Sequence, residues 1–356
     1  MEDVVFMFPG VGVQNTGMGK SFYDNFKIVR ETFEQASDIL KRDIAQMCFM
    51  NSQKEKLFEL ANSQSALLTV CVAMHKVFVK ETGIIPKYSM GHSLGEYSAL
   101  CSAGAIEFSQ ALKLVEIRSE IITEVSKTMD GVMMWVINID RQTIEEVCCE
   151  ESKNENKVFI SAFDSPSQFS ISGDRNNVMK VAKQLEGKGA LIYPLKMNGP
   201  FHSQLMYKAT EKFKSELINY RFCEFKYPVI SNMTGLPYDT SENIVDNLSL
   251  QLMKPIKWTS FIEFLENEGI ERAIEIDPKN NLKYLMEKNT ENIKTFSVEN
   301  IADLSFVKTK SLNQSNEQNL ELIGRCLGAI ISTKNNNEDD DKYNKGATRC
   351  NMKSIA

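Results

Sequence analysis

The chain lacks the patterns that mark a secreted, membrane or zinc-binding protein. Its eight cysteines are scattered and form no Cys-x-x-Cys pair, so neither a zinc site nor a disulfide framework is predicted. We therefore expect free thiols in a reducing compartment. No apolar run reaches about 18 residues, and no basic segment precedes an apolar one at the acidic amino terminus, so neither a membrane span nor a signal peptide is predicted. Together these absences predict a cytoplasmic protein without membrane contact.

The chain also lacks an excess of basic residues. Its formal net charge is -6, whereas a protein built to bind nucleic-acid phosphates needs a concentrated basic surface. No nucleic-acid partner is therefore predicted. A length of 356 residues with 42% hydrophobic content is enough for a large core, in one large domain or two moderate ones.

The most informative motif is Gly-x-Ser-x-Gly at residues 91–95, with Ser93 at its centre. This is the pattern of a nucleophile elbow, a sharp strand-to-helix turn in which glycines avoid side-chain collisions around the serine. Residues 84–90 have the composition of a short strand, and residues 96–105 have that of a packed helix. The context favours Ser93 as a nucleophile over a serine in an ordinary glycine-rich turn.

A second glycine-rich segment follows the buried strand predicted at residues 4–8. Gly10 and Gly12 begin the pattern of a dinucleotide loop, but Asn15 occupies the third glycine position and no phosphate-loop lysine is present. Nucleotide binding is therefore excluded at this loop. Its backbone N–H groups, together with the N–H group of Leu94 after the nucleophile, are predicted to form an oxyanion hole.

The order of predicted elements indicates an α/β fold with two subdomains. Between residues 127 and 195 the order is βαββαβ, which is typical of a ferredoxin-like unit. We expect this unit to be inserted into a larger subdomain formed by residues 1–126 and 196–312. A C-terminal helix at residues 313–334 and a polar tail at residues 335–356 are predicted to follow.

Apolar periodicity predicts further elements of the large subdomain. Apolar residues recur three and four positions apart at residues 25–48 and 55–82, which predicts two helices. Residues 227–232 are predicted to form a strand. The apolar run at residues 272–277 ends at a proline and is expected to be the last strand.

A serine needs a base to act as a nucleophile at neutral pH, and the chain has only three histidines. His92 adjoins Ser93 on the elbow, where neighbouring side chains diverge, and His75 is expected to pack within an apolar helix. His202 lies in a loop downstream of the serine and is the predicted base. No acidic residue between Ser93 and His202 stands out as a third member, although a backbone carbonyl can also orient a histidine.

Arg118 lies in an apolar helical stretch where a lysine would be more ordinary. A guanidinium can bind a carboxylate through two parallel hydrogen bonds. On the residues alone, a salt bridge on the helix surface is the favoured interpretation of Arg118.

Five segments resemble the malonyl-CoA:acyl-carrier-protein acyltransferases in order and spacing. They are residues 8–14 (FPGVGVQ), 91–96 (GHSLGE), 114–118 (LVEIR), 201–206 (FHSQLM) and 251–259 (QLMKPIKWT). The similarity extends over about residues 4–300. It implies an α/β-hydrolase-like large subdomain with a parallel sheet and an inserted ferredoxin-like subdomain, which agrees with the predicted order of elements.

The resemblance implies a role for each catalytic candidate. Ser93 would be the acylated nucleophile and His202 its base. Arg118 would bind the free carboxylate of the malonyl group, which replaces the surface salt bridge. The backbone carbonyl of Gln251 would orient His202 in place of an acid.

The resemblance also implies the surroundings of the nucleophile and the reaction. The N–H groups of Val11 and Leu94 would hold the oxyanion, and Phe201 and His92 would line the substrate pocket. Malonyl would pass from malonyl-CoA to Ser93, and then to the phosphopantetheine thiol of an acyl carrier protein. The CoA thioester is a substrate in this scheme, which needs neither a cofactor nor a metal ion.

The chain departs from the family pattern at three places. Val11 and Val13 stand where the family usually has glutamine and serine, and residues 162–164 (AFD) replace an asparagine-rich turn. Phe201, before the histidine, resembles the malonyl-selecting acyltransferases of polyketide synthases, whereas fatty-acid enzymes tend to have serine there. Together with the C-terminal extension, this resembles the free-standing acyltransferases that serve such assembly lines in trans.

Two alternative functions use the same fold. One is a hydrolase that removes acyl groups from carrier proteins, and the other is a scaffold subunit without catalytic activity. Arg118 argues against the hydrolase, because a simple acyl chain has no carboxylate for a cation to bind. The complete set of Ser93, His202 and Arg118 argues against the scaffold.

Overall fold

The computed structural model describes residues 2–152, 157–195 and 199–307. The first half of these residues contains two strands of one sheet and seven helices, with these bounds: β1 Glu2–Phe8, α1 Lys20–Asn25, α2 Lys27–Leu40, α3 Ile44–Phe49, α4 Lys54–Leu57, α5 Leu60–Thr82, β2 Pro86–Gly91, α6 Gly95–Ser102 and α7 Phe108–Ser126. A second sheet and its helices follow: β3 Gly131–Ile137, α8 Arg141–Ser152, β4 Val158–Ser165, β5 Gln168–Asp174, α9 Arg175–Glu186 and β6 Leu191–Pro194. The chain then returns to the first sheet: α10 Tyr207–Leu217, α11 Ile244–Gln251, α12 Trp258–Asn267, β7 Arg272–Ile276, α13 Asn281–Asn289 and β8 Lys294–Val298.

The first sheet is parallel and has the strand order β2-β1-β7-β8. Strand β1 is buried on both faces from Val4 to Phe8, as its continuous apolar sequence predicts. Phe8 pairs with Gly91, so β1 and β2 end side by side. The glycine-rich loop after β1 and the turn after β2 therefore meet at the same edge of the sheet, where parallel sheets form their sites.

The second sheet is antiparallel, with the order β4-β5-β3-β6. Its βαββαβ connectivity is the one predicted from the sequence, and helices α8 and α9 pack on its inner face through Ile144, Val147, Val178 and Val181. An α/β fold with a parallel sheet and a separate small antiparallel sheet is thus confirmed. The subdomain boundaries at 126/127 and 195/196 stay predictions.

Ile256 attaches the second sheet to the chain segment that precedes α12. Its N–H donates to Ser161 O at 3.0 Å, and its carbonyl accepts from Phe163 N at 2.9 Å. These bonds attach β4 to the segment between α11 and α12. Asp164 of β4 also contacts His92, directly after β2, so the second sheet lies beside the carboxyl end of β2.

Some of the predicted elements are wrong in extent. The helix predicted at residues 25–48 is interrupted at Lys41, whose φ of 53° is left-handed. Helix α3 begins after Asp43, whose side chain caps it by accepting a hydrogen bond from Gln46 N at 2.8 Å. The helix predicted at residues 55–82 is broken after α4, and α5 begins only at Leu60. The strand predicted at residues 227–232 is reduced to isolated bridges of Val229 to Ser89 and of Ile230 to Pro237.

The carboxyl-terminal part of the parallel sheet was also predicted incorrectly. Strand β7 is not the last one, because α13 and β8 follow it and β8 pairs with β7 over its whole length. The predicted helix at residues 313–334 and the polar tail at residues 335–356 lie outside the described residues.

Within residues 2–152, 157–195 and 199–307, no single helix has the length and apolar character of a membrane span. Only the pair Asn51–Leu57 and Leu60–Thr82 reaches that composition when the two are counted together, and they are bent by 110° relative to each other. Most of the first five turns of α5 are buried in the protein core.

Two buried carboxyl groups, Glu275 and Asp277, lie at the carboxyl end of β7. Glu275 accepts the first N–H groups of α13, from Leu282 at 2.6 Å and Lys283 at 2.9 Å. Asp277 accepts Lys279 N at 2.9 Å, and its other oxygen has no donor among the described residues. Burial raises the pKa of Asp277 well above its usual range, and the neighbouring Glu275 charge raises it further.

We expect Asp277→Asn to stabilise the protein at neutral and alkaline pH. A carboxyl group whose pKa is raised by folding contributes stability below its unfolded-state pKa and loses it as the pH rises through the folded-state pKa. An asparagine keeps the acceptor for Lys279 and adds a donor towards Glu275. The free energy of unfolding should therefore rise by about 1–2 kcal/mol at slightly alkaline pH and by less in acid.

Urea unfolding of wild type and variant at both pH values measures this difference. Asp239→Asn, at an exposed position, is the matched control for loss of one carboxylate. A gain that is equal or larger in acid would contradict an origin in the buried Asp277 charge.

Candidate active site

The turn after β2 has the backbone of a nucleophile elbow. Ser93 has a φ of 52°, a left-handed conformation that a non-glycine residue adopts only when its surroundings impose it. A Cβ at Gly91 would lie 2.0 Å from the carbonyl carbon of Gly95, and a Cβ at Gly95 would lie 2.1 Å from Phe8 O. Both glycines are therefore required for α6 to start against β1 and expose Ser93.

Ser93 and His202 meet although they are 109 positions apart in the chain. Ser93 Oγ lies 2.9 Å from His202 Nε2, and His202 Nδ1 lies 2.8 Å from the backbone oxygen of Gln251. The backbone holds the imidazole as well, because His202 N donates to Leu252 O at 3.0 Å. Since Nδ1 donates to a carbonyl, Nε2 is left as the acceptor for the serine proton.

His202 is neutral in this environment. Burial lowers its pKa to about 3, with a further contribution from the Arg118 charge. A neutral imidazole is the form that can accept a proton from a serine hydroxyl. The other two histidines have different partners: His75 packs edge-on against Phe6 and Phe8, and His92 Nε2 lies 3.0 Å from Asp164 Oδ1.

The glycine-rich loop after β1 contacts the elbow at Gly10. A Cβ at that position would lie 2.6 Å from His92 O, so only glycine permits this approach. The N–H groups of Val11 and Leu94 have no acceptor among the described residues, while Gly12 N donates to Gln14 Oε1 at 2.6 Å. Two backbone donors on either side of the elbow are thus free for a ligand oxygen.

Arg118 is buried, with 4% of its surface exposed, which is contrary to a salt bridge on the helix surface. Its guanidinium donates to Gln64 Oε1 at 2.6 Å and to Gln251 Oε1 at 3.3 Å, and it lies over the Tyr97 ring. No carboxylate among the described residues is within ion-pair distance, and Nε has no partner. A buried cation without an ion-pair partner is suited to bind an anionic group of a ligand.

Two further residues of the site were not predicted from the sequence. Asn232 Oδ1 accepts Ser93 N at 2.7 Å, and Asn232 Nδ2 donates to Gly91 O at 2.7 Å, so this side chain fixes the elbow on both sides. Glu96 accepts from Asn232 N and from the Gln251 side chain. Glu96 is the last residue of the family segment at residues 91–96, but no role was predicted for its side chain, and Asn232 lies in none of the five segments.

The two residues predicted to line the substrate pocket, His92 and Phe201, directly precede Ser93 and His202 in the chain. His92 packs against Trp258, with 5.7 Å between ring centroids, and its partner Asp164 belongs to β4 of the small sheet. Phe201 is buried, and its carbonyl accepts Ser172 Oγ of β5 at 2.8 Å. Both therefore connect the site to the antiparallel sheet.

Comparison with known proteins places this site in a family. A family model described as an acyl transferase domain matches residues 5–321. A malonyl CoA-acyl carrier protein transacylase of Bacillus subtilis is 33% identical over 350 residues, covering 98% of this chain and 87% of that protein. Another from Bacillus subtilis strain 168 is 35% identical over 301 residues, covering 84% of this chain and 94% of that protein.

The chain belongs to the malonyl-CoA:acyl-carrier-protein transacylase family. The predicted family resemblance is thus confirmed. A solved structure of a type II polyketide synthase acyl-carrier protein in complex with its malonyl-transacylase matches this transacylase with a TM-score of 0.83 and 31% identity. The match covers 87% of this chain and 100% of the solved one.

Proposed function

We propose that the chain transfers malonyl groups from malonyl-CoA to the phosphopantetheine thiol of an acyl carrier protein, in fatty-acid or polyketide synthesis. The observation that carries this proposal is the pairing of a Ser93–His202 dyad with a buried Arg118 that has no carboxylate partner among the described residues. A dyad alone would suit many acyl transfers. The buried cation gives the site a preference for an acyl group that ends in a carboxylate.

In the first half-reaction Ser93 Oγ attacks the thioester carbonyl of malonyl-CoA while His202 Nε2 takes its proton. The N–H groups of Val11 and Leu94 hold the negative oxygen of the tetrahedral intermediate. The carbon–sulfur bond then breaks, and the CoA sulfur leaves with the proton from His202. The product is a malonyl ester on Ser93.

In the second half-reaction the thiol of the carrier protein takes the place of CoA. His202 accepts the thiol proton, the sulfur attacks the ester carbonyl, and the bond to Ser93 Oγ breaks as the serine recovers a proton. The Gln251 carbonyl stabilises the imidazolium that forms in both halves, in the role that an acid has in other triads. Arg118 holds the malonyl carboxylate throughout.

We also propose a cytoplasmic location. The six cysteines among the described residues form no disulfide bond, which fits a reducing compartment. The preference for polyketide assembly lines suggested by Phe201 stays a prediction.

Transfer is tested by supplying the purified protein with malonyl-CoA and a carrier protein bearing phosphopantetheine. We expect malonyl to accumulate on the carrier protein faster than free malonate appears, and Ser93→Ala to abolish transfer. Release of malonate that exceeds transfer would favour the hydrolase instead.

A further inference from the structure

Glu96 is a buried carboxylate on the first turn of α6, three residues after the nucleophile Ser93. None of its surface is exposed. Its Oε1 accepts Tyr238 OH at 2.5 Å and Asn232 N at 3.2 Å, and its Oε2 accepts Gln251 Nε2 at 2.6 Å. The proposed mechanism gives this residue no role, although three donors converge on it.

The contacts of Gln251 fix the orientation of its side-chain amide. Its Nε2 donates to Glu96 Oε2 and to Ser93 O at 3.0 Å, and its Oε1 accepts from Arg118. A rotation of the amide by half a turn would direct its oxygen at two acceptors and its NH2 at the guanidinium. Because an ionised carboxylate only accepts and a guanidinium only donates, the two charged groups permit a single orientation.

We infer that Glu96 is a positioning residue for malonyl selection: through the Gln251 amide it holds the Arg118 guanidinium in place for the carboxylate of the acyl donor. This inference rests on the proposed function. Glu96 is the acceptor at one end of the relay, and Arg118 is the donor at the other. The side chain of Gln251 connects Glu96 to Arg118, while its backbone carbonyl accepts the hydrogen bond from His202 Nδ1.

The charges of the relay support this assignment. Burial lowers the pKa of Arg118, whereas Tyr97 and, to a smaller extent, the Glu96 charge raise it, so the carboxylate favours the charged guanidinium without contacting it. Within the described part of the chain, the guanidinium Nε has no hydrogen-bond partner. A direct ion pair would instead occupy the donors that a substrate carboxylate needs.

Glu96→Gln tests the inference, because it keeps the shape of the side chain and removes the obligatory acceptor. The side-chain NH2 group of a glutamine at this position can donate to Gln251. The Gln251 amide can then rotate by half a turn, which places its own NH2 group against the Arg118 guanidinium. We expect kcat/KM for malonyl-CoA to fall about 30-fold, mainly through KM, and that for acetyl-CoA to fall no more than about threefold. The assay is run at about pH 8.5, because burial raises the pKa of Glu96 to about 7.

Gln251→Met cuts the same relay at its middle while keeping the backbone carbonyl that faces His202. If Glu96 acts through Gln251, this variant loses malonyl preference to a similar extent, and the double variant loses little more than either single one. Should Glu96→Gln fail to fold, the malonyl-to-acetyl ratio of Gln251→Met alone decides the question.

The inference is overturned if either folded variant keeps the wild-type preference for malonyl, or if malonyl and acetyl transfer fall equally. Additive losses in the double variant would overturn the relay as well. The wild-type protein, measured in the same assay, tests the proposed function separately: if it transfers no malonyl, it is the function that fails.

Discussion

Replacement of His202 by alanine should lower the rate of Ser93 acylation by about a thousandfold. Without the imidazole, no group within hydrogen-bond reach of Ser93 Oγ in the described site can take its proton. The serine stays on its strained elbow, so the loss should lie in the chemical step and hardly affect the binding of malonyl-CoA. The measurement is CoA release in a single turnover, followed with a thiol-reactive dye.

His75→Gln is the matched control, because His75 is a half-buried histidine whose pKa is likewise lowered to about 3 by desolvation. It packs against Phe6 and Phe8 and contacts Tyr227 OH at 3.4 Å, outside the catalytic contacts. We expect it to lower stability and to leave the rate per folded molecule within a few-fold of wild type. Comparable losses in the two variants would show that His202 matters only for folding.

Arg118→Ala should reduce malonyl transfer far more than acetyl transfer. Loss of one charge-assisted contact in a buried site costs about 2–4 kcal/mol, which is a factor of about 30 to 1,000 in kcat/KM for the malonyl substrate. The acetyl group has no carboxylate to lose, so its transfer should fall only through repacking around Gln64 and Gln251. Steady-state kinetics with both thioesters measures the ratio.

Arg118→Lys separates charge from geometry. Lysine keeps the positive charge but cannot make two parallel hydrogen bonds to a carboxylate, so we expect an intermediate loss of malonyl preference. Equal losses for malonyl and acetyl in Arg118→Ala would refute a role of Arg118 in binding the substrate carboxylate.

The parts of the fold that were predicted correctly have strong local signals. The buried strand β1, the elbow around Ser93 and the βαββαβ order each depend on apolar patterning or on glycine within a short segment. The break at Lys41 was not predicted, because a left-handed residue at a helix end is usually a glycine and here it is a lysine. Strand β8 was missed because it is short, and its pairing with β7 is decided by tertiary contacts.

The site residues also divide into those with a local sequence signal and those whose contacts depend on distant parts of the chain. His202 could be selected because only three histidines were available, and Ser93 because of its motif. The burial of Arg118 depends on Gln64 and Gln251, which are 54 and 133 positions away, and no pattern near Arg118 indicates either contact. The resemblance to a known family, and not the spacing of residues, supplied the predicted role of Arg118 in binding a carboxylate.

The central claim is that Ser93 carries a malonyl group between two thioesters. Intact-mass measurement of the protein after incubation with malonyl-CoA, without carrier protein, tests it most directly. We predict a mass increase of one malonyl group that maps to Ser93, is absent in Ser93→Ala and disappears when a carrier-protein thiol is added. No adduct on the wild-type protein, or one that persists in Ser93→Ala, would contradict the claim.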